Sequence, residues 1–151
     1  MAGGAGLSPV APGTAGSAVG VLLFFAFGRL TLPVYGLTLL ALFALAIWAS
    51  DSAGRQFGVT DDSRIVIDEV VGQLVALAPL AGGGAAWPLV VTGFVAFRVF
   101  DVWKPGPVGR AERNLPGGLG VVMDDVLAGV LAGLVLCALV LAGVGVRAEA
   151  A

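Results

Sequence analysis

The residues of this chain best able to do chemistry are five carboxylates in three places. Asp68 and Glu69 are adjacent, Asp101 stands alone, and Asp124 and Asp125 are adjacent again. Each place borders a long uncharged run, and together they hold half of the ten acidic residues. Acids at helix starts also serve as caps that favour the helix dipole. Five of them at three helix ends, in a chain this poor in charge, point further, to a shared site. The chain has no histidine and one cysteine, Cys137, inside an apolar run. Ser-His-Asp triads, phosphohistidine chemistry and His- or Cys-ligated metals are therefore excluded. Oxygen ligands alone suit a hard divalent ion, above all Mg2+, which keeps several waters and is commonly completed by substrate phosphates.

The cations fit the same chemistry. Lys104 follows Asp101 closely and is braced by Pro105 and Pro107, as a phosphate clamp would be. Arg98, Arg110 and Arg113 could grip phosphate bidentately. For Arg110 and Arg113, anchoring beside anionic headgroups is an equal reading. The Gly-rich stretch 116–120 precedes Asp124, and the backbone N–H groups of Gly117 and Gly118 could cradle a phosphate oxygen. It is not a Walker loop, since no Gly-Lys-Ser/Thr follows. Asp124 and Asp125 would point about 100° apart on a helix, so one would ligate a metal while its neighbour orients or caps.

The elements that must position these residues are set by a shortage of charge. Of 151 residues 58% are hydrophobic and 12% charged, against about 25% charged in soluble domains. Mean hydropathy is +1.01. An ordinary soluble globule and a disordered chain are both excluded. The net charge of −2 and the lack of a basic tract exclude a nucleic-acid footprint. The N-terminus has no basic region before its Pro/Gly motif and does not read as a signal peptide. Apolar runs predict segments over 15–27, 34–49, 70–80, 86–97 and 126–146, with Thr14 able to cap the first. Gly82, Gly83 and Gly84 break the 28-residue uncharged stretch 70–97 into a hairpin of two short halves. The polar stretches are 50–69, with Asp51, Arg55, Asp61, Asp62 and Arg64, and 98–125, with Glu112. The expectation is one all-α domain over 1–151, a small integral-membrane bundle of about four to five helices with short helical hairpins. In that layout six of the eight Lys and Arg residues share one side, which the positive-inside rule makes cytoplasmic. Arg29 lies at the opposite turn, and Arg147 ends the last span.

Four ordered blocks give the chain a more specific likeness. They are Gly6-Leu-Ser-Pro-Val-Ala-Pro-Gly-Thr-Ala-Gly16, Ile67-Asp-Glu-Val-Val-Gly72, Phe97-Arg-Val-Phe-Asp-Val-Trp-Lys-Pro-Gly-Pro107 and Gly117-Gly-Leu-Gly-Val-Val-Met-Asp-Asp-Val-Leu-Ala-Gly129. In content, order and spacing the sequence resembles the phosphatidylglycerophosphatase A family over nearly its whole length. The resemblance implies an all-helical, Mg2+-dependent lipid phosphatase of the bacterial inner membrane. Such an enzyme converts phosphatidylglycerophosphate to phosphatidylglycerol and inorganic phosphate. The family's acidic positions fall on Asp68, Glu69, Asp101, Asp124 and Asp125, and its basic position on Lys104. Ser8, Pro9 and Thr14 carry the N-terminal block. Gly106 is a departure, where many members carry a bulky residue.

The expected mechanism is metal-assisted hydrolysis. Asp68, Asp124 and Asp125 or Asp101 hold Mg2+, and Glu69 or another carboxylate positions water. Lys104 and Arg98 steady the phosphoryl oxygens as charge builds. Ser8, Thr14, Gly117 and Gly118 complete the substrate contacts. An aspartyl-phosphate intermediate is the alternative route. The expected partners are the lipid substrate, surrounding membrane lipids and a second copy of the chain. Rival readings are a headgroup transferase, a polyprenyl-diphosphate phosphatase, and a non-enzymatic membrane protein or transporter subunit whose acids are caps or ion-path residues.

Overall fold

In a computed structural model the described residues are 12–58, 66–83 and 86–144. They form six helices: α1 (Pro12–Phe27), α2 (Leu32–Phe57), α3 (Ile67–Leu77), α4 (Trp87–Trp103), α5 (Pro107–Asn114) and α6 (Gly117–Leu141), with a 3-10 turn at Ala78–Leu80. The all-α class agrees with the sequence reading, but the expected count of four to five helices is corrected to six. Among the described residues only α2 and α6 are long and apolar enough to cross a bilayer, by length and composition. At 1.5 Å per residue, α1, α3 and α4 reach about 24, 17 and 26 Å, short of a hydrocarbon core of about 30 Å.

The extra helix has a physical cause. Reading uncharged runs ends a segment wherever charge begins, yet a charged residue can stay helical when it faces a polar site. Helix α4 therefore runs on through Arg98 and Asp101, and α6 starts at Gly117 rather than near Val126. Helix α5 lies wholly in the stretch read as a connection. Pro107 begins it, where a missing N–H costs nothing, and it buries Val108, Gly109 and Ala111 while exposing Arg110, Glu112 and Arg113.

Short helix α3 is the centre of the bundle. It packs on α1, α2, α4 and α6, and Val70, Val71, Leu74, Ala76 and Leu77 are buried along it. Small residues set how closely its neighbours approach. A Cβ on Gly20 of α1 would lie 2.7 Å from that of Gln73, and one on Gly72 would lie 2.6 Å from the Asp125 carbonyl. Pro79 has no N–H for the Val75 carbonyl, so the Ala78 N–H bonds Val75 instead. Tyr35 of α2 then donates its hydroxyl to the Leu74 carbonyl at 2.7 Å. Buried Phe24, Leu80, Leu89 and Leu136 close the core at the end away from the acids.

The helices alternate in direction. The starts of α1, α3 and α6 and the ends of α2 and α4 meet at one end of the bundle. The α1–α2 turn and the turn after α3 meet at the other, where the Gly82 N–H bonds the Gly28 carbonyl at 2.7 Å.

Candidate active site

Three helices bring the carboxylates together. Asp68 and Glu69 occupy the first turn of α3, Asp101 the last turn of α4, and Asp124 and Asp125 lie on the third turn of α6. They line one cavity of about 180 Å³ with Lys104, Glu112 and Val121. One carboxylate oxygen each from Asp68, Glu69 and Asp125 lies within 4.8 Å of the other two. The Oε2 atom of Glu69 is buried with no hydrogen-bond partner among the described residues. Such crowding of acids is unfavourable unless protons or a cation neutralise it. Burial, with Asp68 beside it, pushes the Glu69 carboxyl up to about 10. An all-oxygen donor set with an orphaned buried oxygen fits a hard divalent cation.

The second half of the cavity is cationic. Lys104 takes φ 48°, uncommon for a residue with a side chain, and ends α4. Its Nζ donates to Asp124 at 2.7 Å and pairs with Glu112 at 3.0 Å. Burial alone would lower the Lys104 pKa; its two carboxylate partners outweigh that and hold it above the usual range. The vicinal aspartates therefore diverge, Asp125 to the acid cluster and Asp124 to Lys104. Arg98 pairs with Asp101 one turn along α4.

Helix α1 closes one wall. A Cβ on Gly13 would lie 2.8 Å from Glu69 Oε1 and 3.2 Å from both terminal nitrogens of Arg98. Thr14 is exposed and lines a groove with Arg98, outside the acidic cavity. Gly117 and Gly118 form the first turn of α6, and the Gly118 N–H donates to Asp51 Oδ1 of α2 at 2.6 Å. Arg110 and Arg113 are exposed on α5. Ser8, Pro9, Asp61, Asp62, Arg64, Gly84 and Arg147 lie outside the described residues.

Three polar residues escaped assignment from sequence. Glu112 joins the cavity, and a helix begun by Pro107 would have revealed which face it occupies. Asp51 contacts the start of α6, 67 residues away in sequence, and no local pattern announces that. Gln73 is fully buried, one turn below Glu69, with neither amide atom partnered among the described residues.

The family profile described as phosphatidylglycerophosphatase A matches residues 1–140. The chain belongs to the phosphatidylglycerophosphatase A family. Phosphatidylglycerophosphatase A of Escherichia coli is 35% identical over 133 residues, covering 88% of this chain and 76% of the relative. The Haemophilus influenzae protein of that name is 33% identical over 141 residues, covering 90% and 83%. A Bacteroides thetaiotaomicron protein, provisionally named a phosphatidylinositol-3-phosphatase, is 41% identical over 133 residues, covering 84% and 82%. No solved structure matches the chain. Membership in the phosphatidylglycerophosphatase A family makes this a membrane-associated lipid phosphatase, with a phosphatase-type hydrolytic activity.

Proposed function

We propose that the protein hydrolyses the terminal phosphomonoester of phosphatidylglycerophosphate with Mg2+, releasing phosphatidylglycerol and inorganic phosphate. The observation that carries this reading is the convergence of Asp68, Glu69 and Asp125 within 4.8 Å, beside Lys104, in one cavity. Asp68, Glu69 and Asp125 would hold the ion. When bound, Mg2+ supplies charge neutralisation for the phosphoryl oxygens and polarises phosphorus toward attack.

The chain's own groups do the rest. Lys104 donates to a phosphoryl oxygen as negative charge grows in the transition state. Asp124 and Glu112 hold Lys104 protonated and aimed into the cavity. Asp101, fixed by Arg98, orients the attacking water and accepts its proton. The water oxygen bonds to phosphorus, the ester P–O bond breaks, and the departing glycerol oxygen takes up a proton. Thr14, Gly117, Gly118 and Ser8 are proposed substrate contacts, with the Gly118 N–H already occupied by Asp51. Among the described cations, Arg55, Arg98, Lys104, Arg110 and Arg113 lie at the site end and Arg29 at the other. That bias supports a multi-pass protein of the bacterial inner membrane with its site facing the cytoplasm.

The 41% identity to the Bacteroides relative favours a phosphoinositide monoester as the second reading. The deciding experiment measures phosphate release from phosphatidylglycerophosphate, phosphatidylinositol 3-phosphate and phosphatidic acid, each with Mg2+ and with chelator. The reading expects preference for the first, silence in chelator, and a loss of at least about 100-fold in Asp125→Asn. Preference for the inositol lipid moves the assignment to the second reading. Full activity in chelator removes the metal.

A further inference from the structure

Two apolar hollows outside the acidic cavity lie end to end along α1 and α4 and make up a track. The first, about 340 Å³, is lined by Ala18, Val21, Leu22, Val90, Val91 and Phe94. The second, about 730 Å³, is lined by Phe94, Val95, Val99, Val102 and Trp103, with Thr14 and Arg98 as its polar residues. Phe94 belongs to both, so the two adjoin there. The spacing explains the track: 91, 94, 95, 98, 99 and 102 recur on one face of α4, and 14, 18, 21 and 22 on one face of α1. Every member of the α4 stripe is apolar except Arg98. Leu22, Val91, Val95, Val99, Val102 and Trp103 are exposed.

Arg98 stands where the track meets the acidic cavity. Arg98 lines the apolar groove, while its guanidinium pairs with Asp101, which lines the acidic cavity. Across from it, Gly13 leaves room against both Arg98 and Glu69. An apolar groove, then a guanidinium, then an acid cluster with a lysine follows the polarity sequence of a diacyl phospholipid whose phosphodiester headgroup ends in a phosphomonoester, as that of phosphatidylglycerophosphate does. Such a lipid has a hydrocarbon chain, a diester phosphate and a terminal phosphate, in that order.

We propose that the α1–α4 track is the acyl-chain subsite of the substrate, with Arg98 at its mouth taking the phosphodiester. This rests on the lipid-phosphatase reading of the acidic cavity. One acyl chain lies over Val95, Phe94 and Val91 toward Leu22, and the diester phosphate meets the Arg98 guanidinium. The terminal phosphate then projects past Asp101 into the acidic cavity. Selection of long-chain lipids over soluble phosphate esters follows from the track, and phosphate recognition from the cavity.

The test uses the full chain in phosphatidylcholine vesicles, with a diacyl lipid phosphomonoester carrying a photoreactive diazirine at mid-chain. Cross-links should map to Leu22 and to 91–95, and should be competed by unlabelled lipid phosphomonoester but not by added phosphatidylcholine. Val95→Trp, which fills the track, should lower the ratio of kcat/KM for dipalmitoyl over dihexanoyl substrate by about tenfold. That is the equivalent of losing the burial of about two methylene groups. Leu37→Trp, on the exposed face of α2, should leave the ratio unchanged. Cross-links spread evenly over α2 and α6 would show ordinary boundary lipid and overturn the proposal. Protein–protein cross-links through the track would assign it to a second copy and overturn it equally, as would an unchanged ratio in Val95→Trp. Labelling needs no turnover, so the two readings fail separately. Specific labelling without hydrolysis keeps the subsite and removes the phosphatase, whereas hydrolysis without labelling removes the subsite alone.

Discussion

Adding one methyl group at Gly13 should damage the reaction while sparing the fold. Gly13 is the second residue of α1, and its missing side chain is what lets that helix lie over Glu69 and Arg98. In Gly13→Ala the new carbon would stand 2.8 Å from Glu69 Oε1 and 3.2 Å from both Arg98 terminal nitrogens. Carbon and heteroatom must separate by more than about half an ångström to recover ordinary contact. The atoms it meets are ends of flexible side chains, so Glu69 and Arg98 swing aside while the helices stay in place. Misplacement of a reacting group by about 1 Å costs about a hundredfold, so a shift of about half that predicts a kcat loss of roughly 10- to 100-fold. Stability should hold or rise, because alanine is favoured over glycine in a helix by up to about 1 kcal/mol, or about 2–4 °C in Tm. The assay pairs phosphate release from mixed micelles at saturating Mg2+ with thermal unfolding in the same detergent. Gly16→Ala is the contrast. Its methyl meets Val66 Cβ at 2.9 Å and the Val66 carbonyl at 3.0 Å, and backbone cannot swing, so Tm should fall. A Gly13→Ala protein that keeps kcat within twofold, or loses Tm and activity together, would refute the reasoning.

Three further outcomes follow from the same geometry. Because the Glu69 carboxyl is raised to about 10, the metal-free fold holds a proton that the unfolded chain releases above about 4.3. Metal-free stability should therefore fall as pH rises from about 5 toward 10, and Mg2+ affinity should rise over that window with proton release, read by melting curves and by calorimetry in buffers of different ionisation enthalpy. The opposite slope would show that these acids are not packed as described. Lys104→Met should cut kcat by about 10²–10³-fold while Mg2+ still raises Tm, since it removes the cation and leaves the acid cluster; retained kcat would take Lys104 out of the chemistry. Gly118→Ala should cost about 1–3 kcal/mol, because its methyl meets the Ile47 carbonyl at 2.7 Å and the Asp51 nitrogen at 2.8 Å, whereas Gly36→Ala, with open space around it, should cost nothing measurable in chemical unfolding.

What the sequence revealed and what it hid have a common cause. In a chain with so few charges, acids at the ends of apolar runs had little to do but meet, and Asp68, Glu69, Asp101, Asp124 and Asp125 do share one cavity. The same emphasis on charge concealed the helices that carry them. The start of α6 and all of α5 were read as connections because charge and glycine interrupt their apolar pattern. Of the five apolar runs, only those in α2 and α6 belong to helices long and apolar enough to cross a bilayer among the described residues; in sequence, an apolar run buried inside a bundle looks like one facing lipid. Helix α3 buries eight of its eleven residues and is an interior element. The Asp51–Gly118 contact and the pairing of Lys104 with Glu112 depend on tertiary approach, which no local periodicity encodes. Likewise, Asp124 and Asp125 were separable in principle by helical geometry, but which of them would face Lys104 depended on how α4 ends.

The Asp51 contact has a bearing on how the two long apolar helices, α2 and α6, are joined. The exposed N–H groups at a helix start are a ready anion site, and α6 begins about two turns from the acidic cavity. The chain fills that position with its own carboxylate, donated to by Gly118. The helix start is thereby tied to α2, and its Gly118 N–H is satisfied from within the chain. Asp51 acts as a clasp across 67 residues of sequence, closing the start of α6 with a carboxylate from the far end of α2.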